Sequence, residues 1–246
     1  MRKNHVKFVA LLLAMPFLLH VIILASTCQA QAQAQTQELK SPYPAMAPLD
    51  HYLIADTNSE IALARSAAPP SVSDAAEVMV LSAKGYTTAV KGSNGFLCLV
   101  ERSWAAATDQ PDFWNPKVRA PNCFNAAAAR TFVPIFLMRT KLVLAGKSKA
   151  EILAATTAAF ESKELPPLEP GAMCYMLSKQ QYLNDDGKAW HPHVMFIAPG
   201  NAEKTWGANL PGSPIIAADD PEERATIFMV VVAKWSDGTP ATPIAH

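Results

Sequence analysis

The sequence predicts an α+β domain, with an antiparallel sheet of about six strands and helices packed on one face. Three observations predict it. Runs with strand periodicity fall in two groups, at 77–102 and 172–235, while helical spacing fills the stretch 125–162 between them. Half of the 246 residues are apolar and 17% are charged, which suits one packed core rather than a disordered chain. Strands grouped on either side of helices favour α+β over an alternating parallel sheet. The expected order is helix, three strands, two helices, then three or four strands. PAS-like and profilin-like sensor domains have comparable orders, an analogy of topology that carries no function.

Residues 1–30 read as a secretory signal. Arg2, Lys3 and Lys7 precede the apolar run 8–26, and small residues lead to a cleavage site after Ala30. The apolar run is also long enough to span a bilayer, so an uncleaved anchor is the alternative, as is a lipidated Cys28 in a loose lipobox. Pro16, His20 and the small residues favour cleavage, and with it a periplasmic or secreted protein. Without the three leader bases, residues 31–246 carry a net charge of −3, which gives no electrostatic footing for nucleic acid. Membrane association is expected only through an uncleaved or lipidated N-terminus.

Residues 31–52 read as a flexible linker, because the Gln/Ala repeat has no apolar stripe and Pro42, Pro44 and Pro48 punctuate the rest of the segment. The folded domain is expected over 53–238, with 239–246 as a tail. Thr57-Asn58-Ser59-Glu60 fits a capping box that opens a short helix to about Ala67, stopped by Pro69-Pro70. EVMVLS, YTTAVK and GFLCLVER, separated by Gly and Asn turns, predict an antiparallel meander. Residues 103–124 hold Trp104, Phe113, Trp114 and three prolines without either periodicity, and read as a long loop that packs on itself or serves a site. Helical spacing from Asn125 to Leu144 is interrupted by Pro134, so the helix is either kinked or in two pieces. Ser148-Lys149-Ala150-Glu151 is a second capping box, opening a helix over roughly 149–162. AMCYMLS, WHPHVMFIA and TIFMVVVAKW are strands, and SPIIAA at 213–218 is a shorter candidate.

Candidate chemistry is sparse. His191-Pro192-His193 would direct both imidazoles to one side of an extended chain, where they could share a divalent metal or a ligand with a third group from Cys174, Glu101 or Cys98. Two partly exposed histidines at a hairpin mouth is the plainer reading. After cleavage three cysteines remain, Cys98, Cys123 and Cys174. Three pairings are open; Cys98 with Cys123 is favoured, because it closes the ends of the aromatic loop. Cys174 lies in an apolar strand, as a small buried hydrophobe would. Glu101 shares a face with Leu97 and Leu99, so it either pairs with Arg102, Arg119 or Arg139 or enters a pocket that raises its pKa. Trp104, Trp114 and Trp190 are candidates for an aromatic wall, or for packing. Asp219 to Glu223 read as a solvated acidic turn. Nucleotide loops, nucleophile elbows, zinc-helix and haem motifs are all missing from the sequence, so it names no reaction.

The stretch Gly95 to Trp104, together with Phe113-Trp114-Asn115-Pro116-Lys117 and Trp190-His191-Pro192-His193, resembles sequences of an uncharacterised family of exported bacterial proteins. The resemblance covers most of 57–238 and implies bacterial origin and export; it brings no activity. The functional expectation is a domain that binds a small ligand or an envelope partner in a cleft between the 103–124 loop and the His191/His193 hairpin end. The ligand-binding candidates are Glu101, Trp104, Trp114, Trp190, His191 and His193. A metal-assisted enzyme using His191 and His193 is the alternative.

Overall fold

The computed structural model describes residues 41–242. The leader, its cleavage or lipidation site, the Gln/Ala repeat and the last four residues of the tail lie outside the described residues. Among the described residues no helix is long and apolar enough to cross a membrane.

Among the described residues eight strands form one sheet: β1 (Glu77–Ser82), β2 (Gly85–Val90), β3 (Leu97–Glu101), β4 (Ala120–Phe124), β5 (Met173–Met176), β6 (His193–Pro199), β7 (Ile215–Asp220) and β8 (Ala225–Val231), in the order β2-β1-β3-β4-β5-β6-β8-β7. The α+β class holds, but the sheet has eight strands instead of about six. It is also mixed, because β3 runs parallel to β1 while the other neighbouring pairs are antiparallel.

That parallel pair replaces the expected meander. After β2 the chain crosses the start of β1 and emerges on its other side, held by Ser93 N donating to Ala75 O and Glu77 N to Phe96 O, both at 2.8 Å. The crossing depends on Gly92, where a Cβ would lie 2.1 Å from the Glu77 nitrogen.

The second addition is β4, inside the stretch read as loop. Pro121 and Asn122 gave it the look of a turn. Proline lacks an amide donor, yet it sits in this interior strand because β5 pairs with β4 only at Cys123 and Phe124, leaving Pro121 opposed to Val100 of β3 and with no strand partner on its other side. The Cys98–Cys123 disulfide joins directly opposed residues of β3 and β4.

The helices are α1 (Thr57–Arg65), α2 (Pro70–Ser73), α3 (Ala126–Thr131), α4 (Val133–Leu144) and α5 (Lys149–Glu161). They cover both faces of the sheet, not one. Ala64, at the end of α1, with Ala67 and Ala68 just beyond it, packs on Val78, Cys98, Val100 and Cys123, and these small side chains allow a close approach. On the opposite face Phe132, Ile135, Phe136 and Ala159 cover Leu99, Phe124, Cys174 and Ile197. Pro134 divides the first long helical stretch into α3 and α4, sitting in the first turn of α4 where its missing donor costs nothing.

Ser148 and Glu151 form their capping box at α5. At α1 the cap is Asp56, which accepts from the amides of Asn58 and Ser59. Glu60 is drawn inward instead. Its Oε1 accepts from Arg102 Nη2 at 2.9 Å and from Leu81 N at 3.1 Å, with both side chains of the ion pair buried. Residues 41–52, read as linker, also belong to the packed structure. Tyr52 is buried with Trp104, Phe113, Trp114 and Ile152, and its hydroxyl donates to Trp114 O.

Candidate functional site

A cavity of about 280 Å³ opens on the α3–α5 face of the sheet. Strand alternation places its floor: Glu101 from β3, Ala120, Asn122 and Phe124 from β4, Cys174 and Met176 from β5, Met195 and Ile197 from β6, and Ile227 from β8. Phe132 and Phe136 close one side, and the 102–118 loop with Asp220 and Glu223 forms the rest of the wall. Most of this surface is apolar, with polar groups confined to a few positions.

Glu101 is the most consequential of those groups. Leu99 opposes Asn122 across the β3–β4 ladder, and Glu101 lies two residues further along the same face, within diagonal reach of Asn122. Asn122 Nδ2 donates to Glu101 Oε2 at 2.9 Å. Glu101 Oε1, Asn122 Oδ1 and Ser103 Oγ are sealed from solvent and have no hydrogen-bond partner. Burial pushes the Glu101 carboxyl up to about 8, although the Asn122 hydrogen bond and the Arg139 charge both pull it down. Of the two fates open to Glu101, pairing with an arginine or entering a pocket, it has the second. Arg102 is turned to Glu60, Tyr52 O and Val100 O.

Arg139, fully buried in α4, organises the wall. Its Nη1 donates to Ala105 O, Ala106 O and Glu223 Oε1 at 3.1, 3.2 and 3.4 Å, and its Nη2 donates to Glu222 Oε2 at 3.1 Å. Glu222 also accepts from the amide and hydroxyl of Thr108. One guanidinium therefore ties α4, the long loop and the β7–β8 turn together. The acidic run is not a solvated turn: Asp219 and Asp220 close β7, and Glu223 is buried, with desolvation raising its pKa well above the ordinary value against the pull of Arg139. Lys117 and the hydroxyls of Tyr43 and Tyr182 converge on Asp185; Lys117 and Tyr182 are the chain neighbours of the wall residues Val118 and Leu183.

The other residues singled out from sequence are dispersed. Trp104 and Trp114 are buried in the cluster with Tyr52, Phe113 and Ile152, the Trp104 indole donates to Thr140 Oγ1 at 2.9 Å, and neither ring lines the cavity. Trp190 packs edge-on to His193 at 4.7 Å between ring centroids. His193 Nδ1 donates to His191 O at 2.7 Å, and burial lowers its pKa. Neither histidine lines the cavity. The proposed third ligands lie elsewhere, with Cys98 in the disulfide and Cys174 and Glu101 on the cavity floor. No group of three His, Cys, Asp or Glu side chains able to hold a metal occurs among the described residues. Cys174 is a free, buried thiol whose pKa is raised first by burial and then by Glu101.

Asn122, Asp220 and Glu223 were missed from sequence. Glu101, an acid on an apolar face, was the signal for a pocket, but its partner could not be placed while β4 was read as loop. No family model, curated protein or solved structure matches the chain.

Proposed function

We propose that this chain is an exported bacterial domain that binds a small molecule in the cavity under the 102–118 loop. The observation that carries the reading is the set of desolvated, unpartnered polar atoms on Glu101, Asn122 and Ser103, set into an otherwise apolar wall. Leaving such atoms unpaired costs about 1–3 kcal/mol each, a penalty that a bound ligand with matching groups would remove. The volume of about 280 Å³ is at the lower edge of the range for small-molecule sites and suits a compact ligand. Export is supported by the leader and by the disulfide, since such bonds persist outside the reducing cytosol.

The test is protein-observed amide-correlation NMR with small, mostly apolar fragments that carry a hydrogen-bonding group, applied to the wild type and to Ile227→Trp, whose indole would fill the cavity. Fragments should bind the wild type, shift the backbone amides of Asn122, Phe124 and Cys174, and lose binding in the folded variant. Absence of any bound fragment, or shifts confined to another part of the chain, would overturn the proposal.

A further inference from the structure

The chemistry of the walls goes beyond the existence of a ligand and specifies its charge. Four acids line the cavity, Glu101, Asp112, Asp220 and Glu223, against one base, Arg102. The Arg102 guanidinium is already committed to Glu60 and to two carbonyls, so it offers the cavity no free donor. Arg139 stands behind the wall with both Nη atoms engaged, and its unpartnered Nε is not part of the lining. The unpartnered atoms of the wall residues are the reverse: Asn122 Oδ1 is an acceptor, Glu101 Oε1 is one once its carboxyl is ionised, and Ser103 Oγ can accept. Asn122 is only 1% exposed, so water does not satisfy its carbonyl from outside.

With its cationic groups already paired, the wall offers no free guanidinium to an anion or to a neutral carbonyl, and its unmatched polar atoms lie on Glu101, Asn122 and Ser103. It favours a ligand that supplies N–H donors together with positive charge. The phenyl rings on the adjoining wall suit the rest of such a molecule, because an aromatic face tolerates both hydrocarbon and a nearby cation.

We propose that the cavity takes a small organic cation, a primary or secondary ammonium whose N–H groups bond Glu101 Oε1 and Asn122 Oδ1 and whose apolar body lies against Phe124, Phe132 and Phe136. This inference rests on the cavity being a ligand site. Below about pH 8 the Glu101 carboxyl carries a proton, so binding the ammonium releases that proton to solvent and the ammonium serves as counter-ion to the carboxylate left behind; no other atom is transferred.

The experiment compares hexylamine, 1-hexanol and hexanoate, which share one chain and differ in the head group, by isothermal titration calorimetry on the mature domain at about pH 9, above the Glu101 midpoint and below that of an alkyl ammonium. Hexylamine should bind at least about tenfold more tightly than 1-hexanol, the margin of a charge-assisted hydrogen bond, and hexanoate should bind least. In Glu101→Gln, which keeps the shape of the side chain and removes its charge, the ratio of amine to alcohol affinity should collapse towards one. Equal affinities in the wild type, or a preference for hexanoate, would overturn the ammonium while leaving the cavity as a site for neutral ligands. If no compound of the series binds, and no fragment binds in the NMR screen, the cavity reading fails as well.

Discussion

Glu60 and Glu101 are both drawn into the interior, and their neighbours give them opposite characters. Glu60 meets a buried guanidinium and a backbone amide, so its charge is matched where it lies. Glu101 meets one amide group and a thiol-bearing floor, so desolvation dominates and the neutral acid is favoured. The consequence for stability has a definite sign. Because the folded-state value is raised to about 8 from an ordinary 4.5, the folded protein holds this proton while the unfolded chain releases it. Stability from this group is therefore full below about pH 4.5 and declines as pH rises towards 8. Urea unfolding at intervals between pH 4.5 and 8.5 should show the decline in the wild type and a shallower slope in Glu101→Gln. Parallel slopes would mean that Glu101 is solvated in the folded state.

Among the elements, the β3–β4 pair does most to shape the site. On one face it carries Cys98 and Cys123 beneath α1, and on the other Glu101, Asn122 and Phe124 beneath α3 and α4. Cys174 lies on that second face, so the sheet separates the free thiol from the disulfide. With its cysteines 25 positions apart, the bridge should contribute about 3–4 kcal/mol through loop closure. Replacing both cysteines with alanine should lower the urea-derived unfolding free energy by that order, and a loss under about 1 kcal/mol would show that the loop is held by packing and Arg139 instead.

The same pair shows where sequence reasoning stopped. Cys98 and Cys123 bracket an aromatic loop, and loop closure alone pointed to their bond. The strands near glycine turns were legible from period-two patterning, and Ser148 and Glu151 marked α5 through local hydrogen bonding. β4 was not legible, because Pro121 and Asn122 carry turn chemistry and only the tertiary pairing shows that the missing amide faces an unpaired edge. Without β4, Asn122 had no register and Glu101 no partner. Glu60 and Glu223 misled for a related reason: each matches a local pattern, and each is claimed by an arginine distant in the chain.

At the scale of the whole molecule, buried charge joins segments that packing alone would leave separate. Arg102 fixes the stretch before α1 to the end of β3, while Arg139 fixes the long loop to the β7–β8 turn. Between these two ties lies a cavity whose polar atoms want donors. The decisive measurement is a carbon-detected NMR titration of the Glu101 side-chain carboxyl, with and without saturating hexylamine. In the free protein the carboxyl should titrate near 8, and bound amine should bring it down towards the ordinary carboxylate range. A midpoint near 4.5 in the free protein, or one that the amine leaves unmoved, would contradict Glu101 as the centre of a ligand site.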